Sequence, residues 1–407
     1  MALIVQKYGG SSVADAHCMK RVAQRILDTQ KAGNRVVVVV SAMGDTTDEL
    51  IGLAKQVHPE PDDRELDMLM ATGEQISSAV LAMTLHALGA KAISLTGPQA
   101  GIFTDAAHTK AKIRDIRPER MKKLLRQGYI VIVAGFQGLT PAEDVATLGR
   151  GGSDTTAVAL AAALKADRCQ ILKDVEGVYT ANPRVVPAAR KLSEIAYDEM
   201  LELASLGAEV LQSRAVEFAK KYGVELEVMS SFRRAPGTVV REEVRKMEDI
   251  VVRGVAADKQ QAKVTITRVP DRPGVAARVF KDLAAGNINV DIIVQNVSEK
   301  GHTDMSFTVS ESDLPKARRA VEALSRLIGA KGVNYDRDIA KISIVGVGML
   351  SHSGVAYRMF KALADSDVNI EMISTSEIKI SVVIRKARAD QAVKALHRAF
   401  GLGGKGR

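Results

Sequence analysis

Five consecutive valines, Val36 to Val40, constrain the fold of this chain more than any other feature. A β-branched run without polar alternation suits a parallel strand that is buried on both faces. Small and polar residues follow from Ser41 to Asp48, and a helical pattern resumes at Glu49. The same alternation continues to about residue 240. It predicts an α/β fold in which helices sandwich a mostly parallel sheet.

Length and charge narrow the functional class. The chain has 407 residues, which predicts two or three domains. Its net charge is +9, but Lys and Arg are spread among Asp and Glu without interleaved aromatics, which argues against nucleic-acid binding. No apolar run is long enough for a membrane span, and the N-terminus lacks a signal-peptide pattern. Cys18 and Cys169 lack metal-ligand spacing, and two distant cysteines fit a reduced, cytoplasmic interior.

Polar and glycine-rich clusters follow several of the predicted strands. In parallel sheets, ligands bind beyond the carboxyl ends of the strands. Lys7–Ser12 and Gly149–Asp154 each contain paired glycines before a helical pattern, which suits the binding of an anion. Lys7 and Arg150 add cations suited to phosphate or carboxylate. Lys7–Ser12 alone is equally compatible with a tight strand-to-helix turn, but two such loops together favour a binding site.

Several standard nucleotide-binding motifs are missing. The sequence contains neither a G-x-x-x-x-G-K-[ST] loop nor the catalytic-loop and D-F-G set of protein kinases. One G-x-G-x-x-G match, at Gly401, Gly403 and Gly406, lies in the terminal tail without a preceding strand or room for a following helix, so we reject it.

An internal repeat follows a charged stretch, Arg241–Asp249. Residues from Pro273 to Ile293 align with residues from Ser353 to Ile373, 80 positions later. Each copy has the order of a ferredoxin-like βαββαβ unit. The repeats could be structural modules, but their separation from the predicted binding site at the sheet edge favours a ligand-sensing pair. The predicted domains are 1–240, a linker 241–262, and two repeats at 263–335 and 336–407.

The glycine-rich loops and the internal repeat together resemble those of monofunctional aspartate kinases, which join an amino acid kinase domain to two ACT domains. The resemblance covers nearly the whole chain, and five motifs in order carry it: Lys7–Ser12, Val40–Met43, Thr72–Glu74, Leu148–Thr155 and Asp174–Arg184. It implies transfer of the ATP γ-phosphoryl group to the β-carboxylate of L-aspartate. This reaction is the first step toward lysine, threonine and methionine.

The resemblance also assigns roles to single residues. Lys7 neutralises the transferred phosphoryl group, Asp154 organises Lys7, Arg150 binds the aspartate α-carboxylate and Glu74 accepts from its ammonium group. The other implied aspartate-binding residues are Ser41, Thr47, Gly151, Gly152 and Ser153. The implied ATP-binding residues are Lys7, Tyr8, Gly9, Gly10, Lys173, Asp174, Tyr179, Arg184 and Glu209. Mg²⁺ is expected to be carried mainly by ATP and water.

Two positions depart from the family pattern. Position 173 is often a small hydroxyl residue in relatives and is Lys173 here, whereas position 209 is commonly a lysine and is Glu209 here. A carboxylate beside triphosphate is repulsive. We therefore hypothesise that Lys173 either pairs with Glu209 or takes over the phosphate contact.

The resemblance further implies an effector pocket between the ACT repeats, for lysine, threonine or both. Its predicted residues are Asp271, Pro273, Gly274, Val275, Ala276, Asn289, Val290, Asp291, Gln295, Val355, Ala356, Asn369, Ile370, Glu371 and Ser376. Pairing of ACT domains across chains implies a homodimer or larger assembly. Met247 is either an ordinary linker residue or an internal start for a separate regulatory subunit.

Two alternative functions remain at this stage. Acetylglutamate, glutamate and uridylate kinases share the fold, but Thr72–Glu74 and the tandem ACT units argue against them. A non-catalytic or weakly active amino-acid-sensing relative is the other alternative, and Glu209 is the only feature in its favour.

Overall fold

The computed structural model describes residues 1–205, 210–242, 244, 251–296, 301–347, 349 and 352–404. These residues form two compact units. The first contains Met1–Tyr179, Lys191–Ser205 and the described residues from 210 to 244. The second contains Thr180–Arg190 and the described residues from 251 to 404. Among the described helices, each is too short or too polar to cross a bilayer.

The first unit alternates strands and helices. Its strands are β1 (Leu3–Tyr8), β2 (Arg35–Val40), β3 (Ala92–Leu95), β4 (Ile102–Thr104), β5 (Ile113–Ile116), β6 (Ile130–Ala134), β7 (Gln137–Leu139), β8 (Val145–Thr147), β9 (Arg168–Lys173), β10 (Glu194–Ala196), β11 (Leu226–Ser230) and β12 (Thr238–Arg241). Its helices are α1 (Ala16–Lys31), α2 (Thr46–Val57), α3 (Asp63–Ala87), α4 (Glu119–Arg126), α5 (Gly152–Leu164), α6 (Tyr197–Ser205) and α7 (Ser213–Tyr222).

A mostly parallel eight-stranded sheet has the order β10-β12-β11-β9-β1-β2-β6-β3. Only the β11–β12 pair in it is antiparallel among the described strands, so the predicted fold class is confirmed. All five valines of β2 are buried. Val36, Val38 and Val40 pack with side chains of α1 and α3, and α5 packs against β1 and β2. Because side chains alternate along a strand, both faces of β2 have apolar cover.

A second, four-stranded sheet of the order β5-β4-β7-β8 was not predicted. The loop Gly149–Asp154 follows β8 and therefore leaves this small sheet, not the main one as the sequence analysis assumed. The loop nevertheless leads directly into α5, whose packing on β1 and β2 returns it to the main sheet.

The second unit contains the two repeats in one antiparallel sheet of the order β14-β15-β13-β16-β18-β17. The strands are β13 (Gly254–Pro270), β14 (Val290–Gln295), β15 (His302–Ser310), β16 (Gly332–Val345), β17 (Met372–Thr375) and β18 (Lys379–Arg385). The helices are α8 (Val275–Ala285), α9 (Leu314–Ile328), α10 (Val355–Ala364) and α11 (Ala389–Ala399).

The two repeats share their longest strands. Residues Gly254–Asp258 of β13 pair with the end of β16, beside β18 of the second repeat. Residues Lys263–Thr267 of β13 pair with the start of β16. Part of the predicted linker, residues 254–262, is therefore strand. Most of the charged stretch before it, including Met247, lies outside the described residues.

Residues Thr180–Arg190 fold with the second unit although β9 precedes them. The Thr180 hydroxyl lies 3.0 Å from His397 Nε2 and donates to the Leu402 carbonyl at 3.1 Å. Val255 N–H, near the start of β13, donates to the Thr180 carbonyl at 2.8 Å. The segment that follows Tyr179 is thus built into the core of the repeat unit.

We expect Phe307→Ala to destabilise the second unit by about 3–5 kcal/mol, because it leaves a cavity in a closed core. Phe307 is fully buried and meets the Phe280 ring edge-on at a centroid distance of 5.7 Å. Leu327→Ala is the matched control, since Leu327 is 78% exposed and its change should cost less than about 0.5 kcal/mol. Urea unfolding of the full chain measures both changes, and equal losses would contradict this description of the core.

Candidate active site

Three charged side chains meet at the carboxyl ends of β1 and β9. These neighbouring parallel strands place Tyr8 opposite Leu172. The Asp154 carboxylate, in the first turn of α5, lies 2.7 Å from Lys7 Nζ and 3.0 Å from Lys173 Nζ. Lys7 and Asp154 are almost completely buried, and the Lys173 side chain is 16% exposed. We call this arrangement the lysine–aspartate cluster.

The charges of this cluster follow from its environment. Burial alone would raise the pKa of Asp154, but the ammonium groups of Lys7 and Lys173 outweigh it and lower that pKa to about 2. Burial lowers the pKa of Lys7, which Asp154 only partly opposes. Asp154 is therefore an anion at neutral pH and is not suited to accept a proton in a reaction.

The glycine turn after β1 requires a close backbone approach. A Cβ atom on Gly10 would lie 2.9 Å from the Ala42 carbonyl oxygen and 3.0 Å from that of Gly44. The Gly9 N–H already donates to the Leu172 carbonyl at 3.2 Å. The Gly9 N–H is thus occupied at the sheet edge, and the Gly10 N–H is the better candidate for a phosphate contact.

Glu74 places a carboxylate with an unused oxygen beside the end of β2. Its Oε1 accepts from the Ala42 N–H at 3.2 Å, whereas its buried Oε2 has no hydrogen-bond partner among the described residues. The close approach of α3 depends on Gly73, where a Cβ would lie 2.8 Å from the Ala42 Cβ. Burial raises the pKa of Glu74 to about 7. Such a group is suited to a cationic ligand, which restores the lost solvation.

The loop before α5 brings polar groups to the end of β6. A Cβ on Gly135, just after β6, would lie 2.8 Å from Ser153 Oγ. Arg150 is exposed two residues before α5 begins, and Gly151 has a positive φ of 73°. One short loop thus carries a solvent-facing guanidinium, and its helix contributes Asp154 to the lysine–aspartate cluster.

The remaining predicted residues are distributed unevenly. Ser41 follows β2 at the same sheet edge, and Thr47 lies in the first turn of α2. Asp174 is exposed directly after β9, and the Tyr179 hydroxyl donates to Glu176 Oε2 at 3.4 Å. Arg184 is exposed and belongs to the second unit, and Glu209 lies outside the described residues.

Sequence reasoning missed several groups that support this site. The Ser231 hydroxyl follows β11, accepts from Ser12 Oγ at 2.8 Å and donates to the Lys173 carbonyl at 3.0 Å. A serine pair after an apolar strand was the available signal. The fully buried Asp67 and the half-buried Arg214 also hold neighbouring loops, but they bind mainly backbone and hydroxyl groups and leave no motif.

In the second unit, the loop before α8 lines a cavity of about 340 Å³ within the first repeat. The predicted effector residues that line it are Asp271, Pro273, Gly274, Val275, Ala276 and Gln295. Those that do not line it are Asn289, Val290, Asp291, Val355, Ala356, Asn369, Ile370, Glu371 and Ser376.

Two of these outlying residues are engaged elsewhere. Asp291 is paired with Lys341. Glu371 is paired with Lys263 and, at 2.8 Å, with Arg385 Nε. Both carboxylates therefore join the repeats to each other across the shared strands.

Two family profiles cover most of the chain. The profile described as the amino acid kinase family matches residues 2–230. The profile described as the ACT domain matches twice, over residues 267–324 and 342–400.

Aspartokinases from other organisms resemble the chain over nearly its whole length. The aspartokinase of Mycolicibacterium smegmatis is 54% identical, over 99% of this chain and 97% of the relative. E. coli aspartokinase III in complex with aspartate and ADP, in the R-state, has a TM-score of 0.85 at 27% identity. The same enzyme with lysine and aspartate, in the T-state, has a TM-score of 0.76 at 27% identity. Both solved structures match over 98% of this chain and 99% of theirs. The chain therefore belongs to the amino acid kinase family and, within that family, to the aspartokinases.

Proposed function

We propose that this chain transfers the γ-phosphoryl group of ATP to the β-carboxylate of L-aspartate. The products are 4-phospho-L-aspartate and ADP, in the first step of lysine, threonine and methionine biosynthesis. The observation that carries the proposal is the lysine–aspartate cluster, which holds two ammonium groups at one sheet edge. The whole-chain similarity to aspartokinases, one of them solved with aspartate and ADP, supports both substrates.

Charge neutralisation supplies most of the catalysis in this proposal. Both reactants are anions, so they repel each other unless cations lie between them. Lys7 neutralises the transferred phosphoryl group, Lys173 neutralises the phosphate chain behind it, and Asp154 holds both lysines in place. An aspartate carboxylate oxygen attacks phosphorus in line, and the bond to the β,γ-bridging oxygen breaks. The nucleophile is already deprotonated, so no general base is needed.

The amino acid substrate is held by its α-substituents. Glu74 accepts from the α-ammonium group through the oxygen that lacks a partner among the described residues. Arg150 binds the α-carboxylate through its planar fork. The other groups of this pocket are Ser41, Thr47, Gly151, Gly152 and Ser153. Anchoring at the α-carbon fixes the reach of the side-chain carboxylate, which selects aspartate over glutamate.

Magnesium would enter this site bound to the nucleotide. Among the described residues, no group of three or more His, Cys, Asp or Glu side chains could hold a metal ion. Both oxygens of Asp154 are within ion-pair distance of ammonium groups. In this proposal Mg²⁺ is bound mainly to ATP phosphates and water, where it would neutralise phosphate charge.

The nucleotide side of the proposal rests on the residues around β9. Lys173 pairs with Asp154 beside Lys7, and in this proposal its ammonium group contacts phosphate. The alternative partner, Glu209, lies outside the described residues. The other proposed ATP-binding residues are Tyr8, Gly9, Gly10, Asp174, Tyr179, Arg184 and Glu209. Gly9 would contribute through the shape of the turn and not through its N–H, because that N–H already donates to the Leu172 carbonyl.

The tandem ACT domains are the proposed regulatory part. Lysine, threonine or both would bind at the cavity of the first repeat, with Asp271 and Gln295 as polar partners. The T-state aspartokinase structure with lysine supports this class of effector. Effector binding would shift the catalytic unit between two arrangements of different activity. We also propose a homodimer or larger assembly through the ACT domains.

The first of four predictions from the proposed function concerns activity and Lys173. With ATP and hydroxylamine, the chain should form hydroxamate from aspartate and none from glutamate. Lys173→Thr should raise the KM for ATP about tenfold, the value of one charge-assisted hydrogen bond, with little change in the KM for aspartate. Lys123→Thr on the exposed face of α4 is the control. An unchanged KM for ATP would remove Lys173 from the nucleotide site.

The second prediction concerns aspartate binding by Glu74. Glu74→Gln should raise the KM for aspartate at least tenfold, because a buried ammonium group loses its anionic partner. The KM for ATP should stay within about twofold of the wild-type value. Glu65→Gln, on the exposed start of α3, is the matched control. Steady-state kinetics with each substrate varied separately decide the outcome.

The third prediction uses the pKa of Glu74 in the protein without ligands. Because this pKa rises from 4.5 to about 7 on folding, the folded state keeps a proton that the unfolded state releases between these values. The free energy of unfolding should therefore fall as pH rises from 4.5 to 7, by on the order of 3 kcal/mol. Glu74→Gln should remove this contribution and make the ligand-free protein more stable at pH 8. Urea unfolding at pH 5 and pH 8 measures both effects, and a less stable variant at pH 8 contradicts the assignment.

The fourth prediction concerns feedback inhibition. At low aspartate concentration, initial rates should fall when lysine and threonine are added together. Asp271→Ala should weaken this inhibition at least fivefold without changing the uninhibited rate, because Asp271 lines the proposed cavity. Asp282→Ala, on the exposed face of α8, should be inhibited like the wild type. Equal rates with and without the two amino acids would count against regulation through these domains.

A further inference from the structure

Arg214 holds the loop that carries Arg150, although Arg214 itself has no place in the proposed chemistry. It projects from the first turn of α7. Its Nη1 donates to the Leu148 carbonyl at 2.8 Å, and its Nη2 donates to the Ala111 carbonyl at 2.8 Å. Leu148 lies two residues before Arg150. One planar guanidinium thus connects the start of the Arg150 loop to the segment of the same chain that contains Ala111.

Asp67, on helix α3, holds the same two chain segments. Its side chain is completely buried and accepts from the Thr147 hydroxyl. Its other oxygen accepts from the Thr109 N–H at 2.9 Å and lies 2.9 Å from His108 Nδ1. Thr147 ends β8 immediately before the loop, and His108 and Thr109 belong to the segment that leads to Ala111. One side chain from α7 and one from α3 therefore hold the loop.

The backbone between these anchors has little freedom to adjust. Gly149 has a positive φ of 75°, and a Cβ there would lie 3.0 Å from the Thr109 carbonyl oxygen. At Gly151, an added Cβ would overlap the Gln212 side chain just before α7. Thr109 itself has a φ of 63°, which is unusual for a β-branched residue. Strain of this kind persists where surrounding contacts over-determine the backbone, as they do beside functional loops.

We propose that Asp67 and Arg214 are positioning residues for the amino acid substrate. They hold Leu148–Gly152 in the shape in which Arg150 presents its guanidinium to the α-carboxylate of aspartate. This inference rests on the proposed function, in which Arg150 binds that carboxylate. The hydrogen bonds of Asp67 and Arg214 go to the loop and its neighbour and to none of the three residues of the lysine–aspartate cluster. Their loss should therefore weaken aspartate binding and spare ATP binding.

The test is a double-mutant cycle measured by steady-state kinetics on the full chain. Arg214→Met removes both donors and keeps the length of the side chain, while Arg214→Lys keeps the charge but cannot span both carbonyls as a planar fork. Each is made alone and together with Arg150→Ala, and Asp67→Asn serves as an independent second anchor variant. Lys221→Met, on the exposed face of α7, is the matched control.

In the expected result, Arg214→Met and Asp67→Asn each raise the KM for aspartate about tenfold and leave the KM for ATP within twofold. Arg214→Lys should fall between Arg214→Met and the wild type. In the Arg150→Ala background, Arg214→Met should add less than twofold, because the group it positions is gone. Lys221→Met should match the wild type.

Three outcomes overturn the inference. Equal changes in both KM values, a full additional effect in the Arg150→Ala background, or a lowered melting temperature with wild-type kinetics would each make Arg214 a general structural anchor. If Arg214→Met does not fold, Arg214→Lys and Asp67→Asn decide by the same criteria. A wild-type chain that forms no hydroxamate from aspartate would instead refute the proposed function, so the two failures are distinguishable.

Discussion

The ion pairs of Asp154 with Lys7 and Lys173 are the interaction on which the site depends. Two ammonium groups repel each other, and burial adds a desolvation penalty to each. A carboxylate between them lowers both costs, and it is available because α5 begins beside the ends of β1 and β9. The parallel sheet is what brings these strand ends together. The cluster retains one excess positive charge when both lysines are protonated, which favours a phosphate anion.

Two buried carboxylates in one unit show how environment divides their roles. Asp154 has cationic neighbours and a pKa lowered to about 2, whereas Glu74 accepts from one backbone N–H and has a pKa raised to about 7. The first is electrostatically complete without a substrate. The second is incomplete, because its Oε2 is buried without a hydrogen-bond partner among the described residues. The ammonium group of an amino acid would supply that partner. Ligand binding would then offset the desolvation penalty of the Glu74 carboxylate in the ligand-free protein, which favours ligands with an ammonium group.

Local patterns predicted much of the fold, and non-local pairings limited the rest. The valine run identified β2, and the internal repeat at a spacing of 80 residues identified the two ACT units. The strands β4, β7 and β8 have three residues each, too few for a recognisable period. The sharing of β13 and β16 between repeats depends on pairing between distant residues, which spacing along the chain does not encode.

The same limit applies to the candidate site. Glycine-rich loops pointed to Lys7 and Arg150 because close approach and charge leave a local signature, whereas Asp154 was assigned through the family resemblance. The ion pair between Lys173 and Asp154 has no such local signature, because residues 154 and 173 come together only through the packing of α5 on β9. Arg214 and Asp67 were missed for a related reason. Their partners are largely backbone groups, which any sequence could supply.

Strand β13 links the cavity of the first repeat to the segment that follows Tyr179. Its last residues, Val269 and Pro270, line the cavity of the first repeat. Its first residues pair with β16 in the second repeat, and Val255 donates to the carbonyl of Thr180. Thr180 directly follows Tyr179, which the proposed function assigns to the nucleotide. β13 thus connects the cavity of the first repeat to the core of the second repeat, and its pairing with β16 shifts register twice between Asp258 and Lys263. The hydrogen bond from Val255 holds the backbone of Thr180 in the repeat unit, so the chain enters that unit at the residue directly after Tyr179.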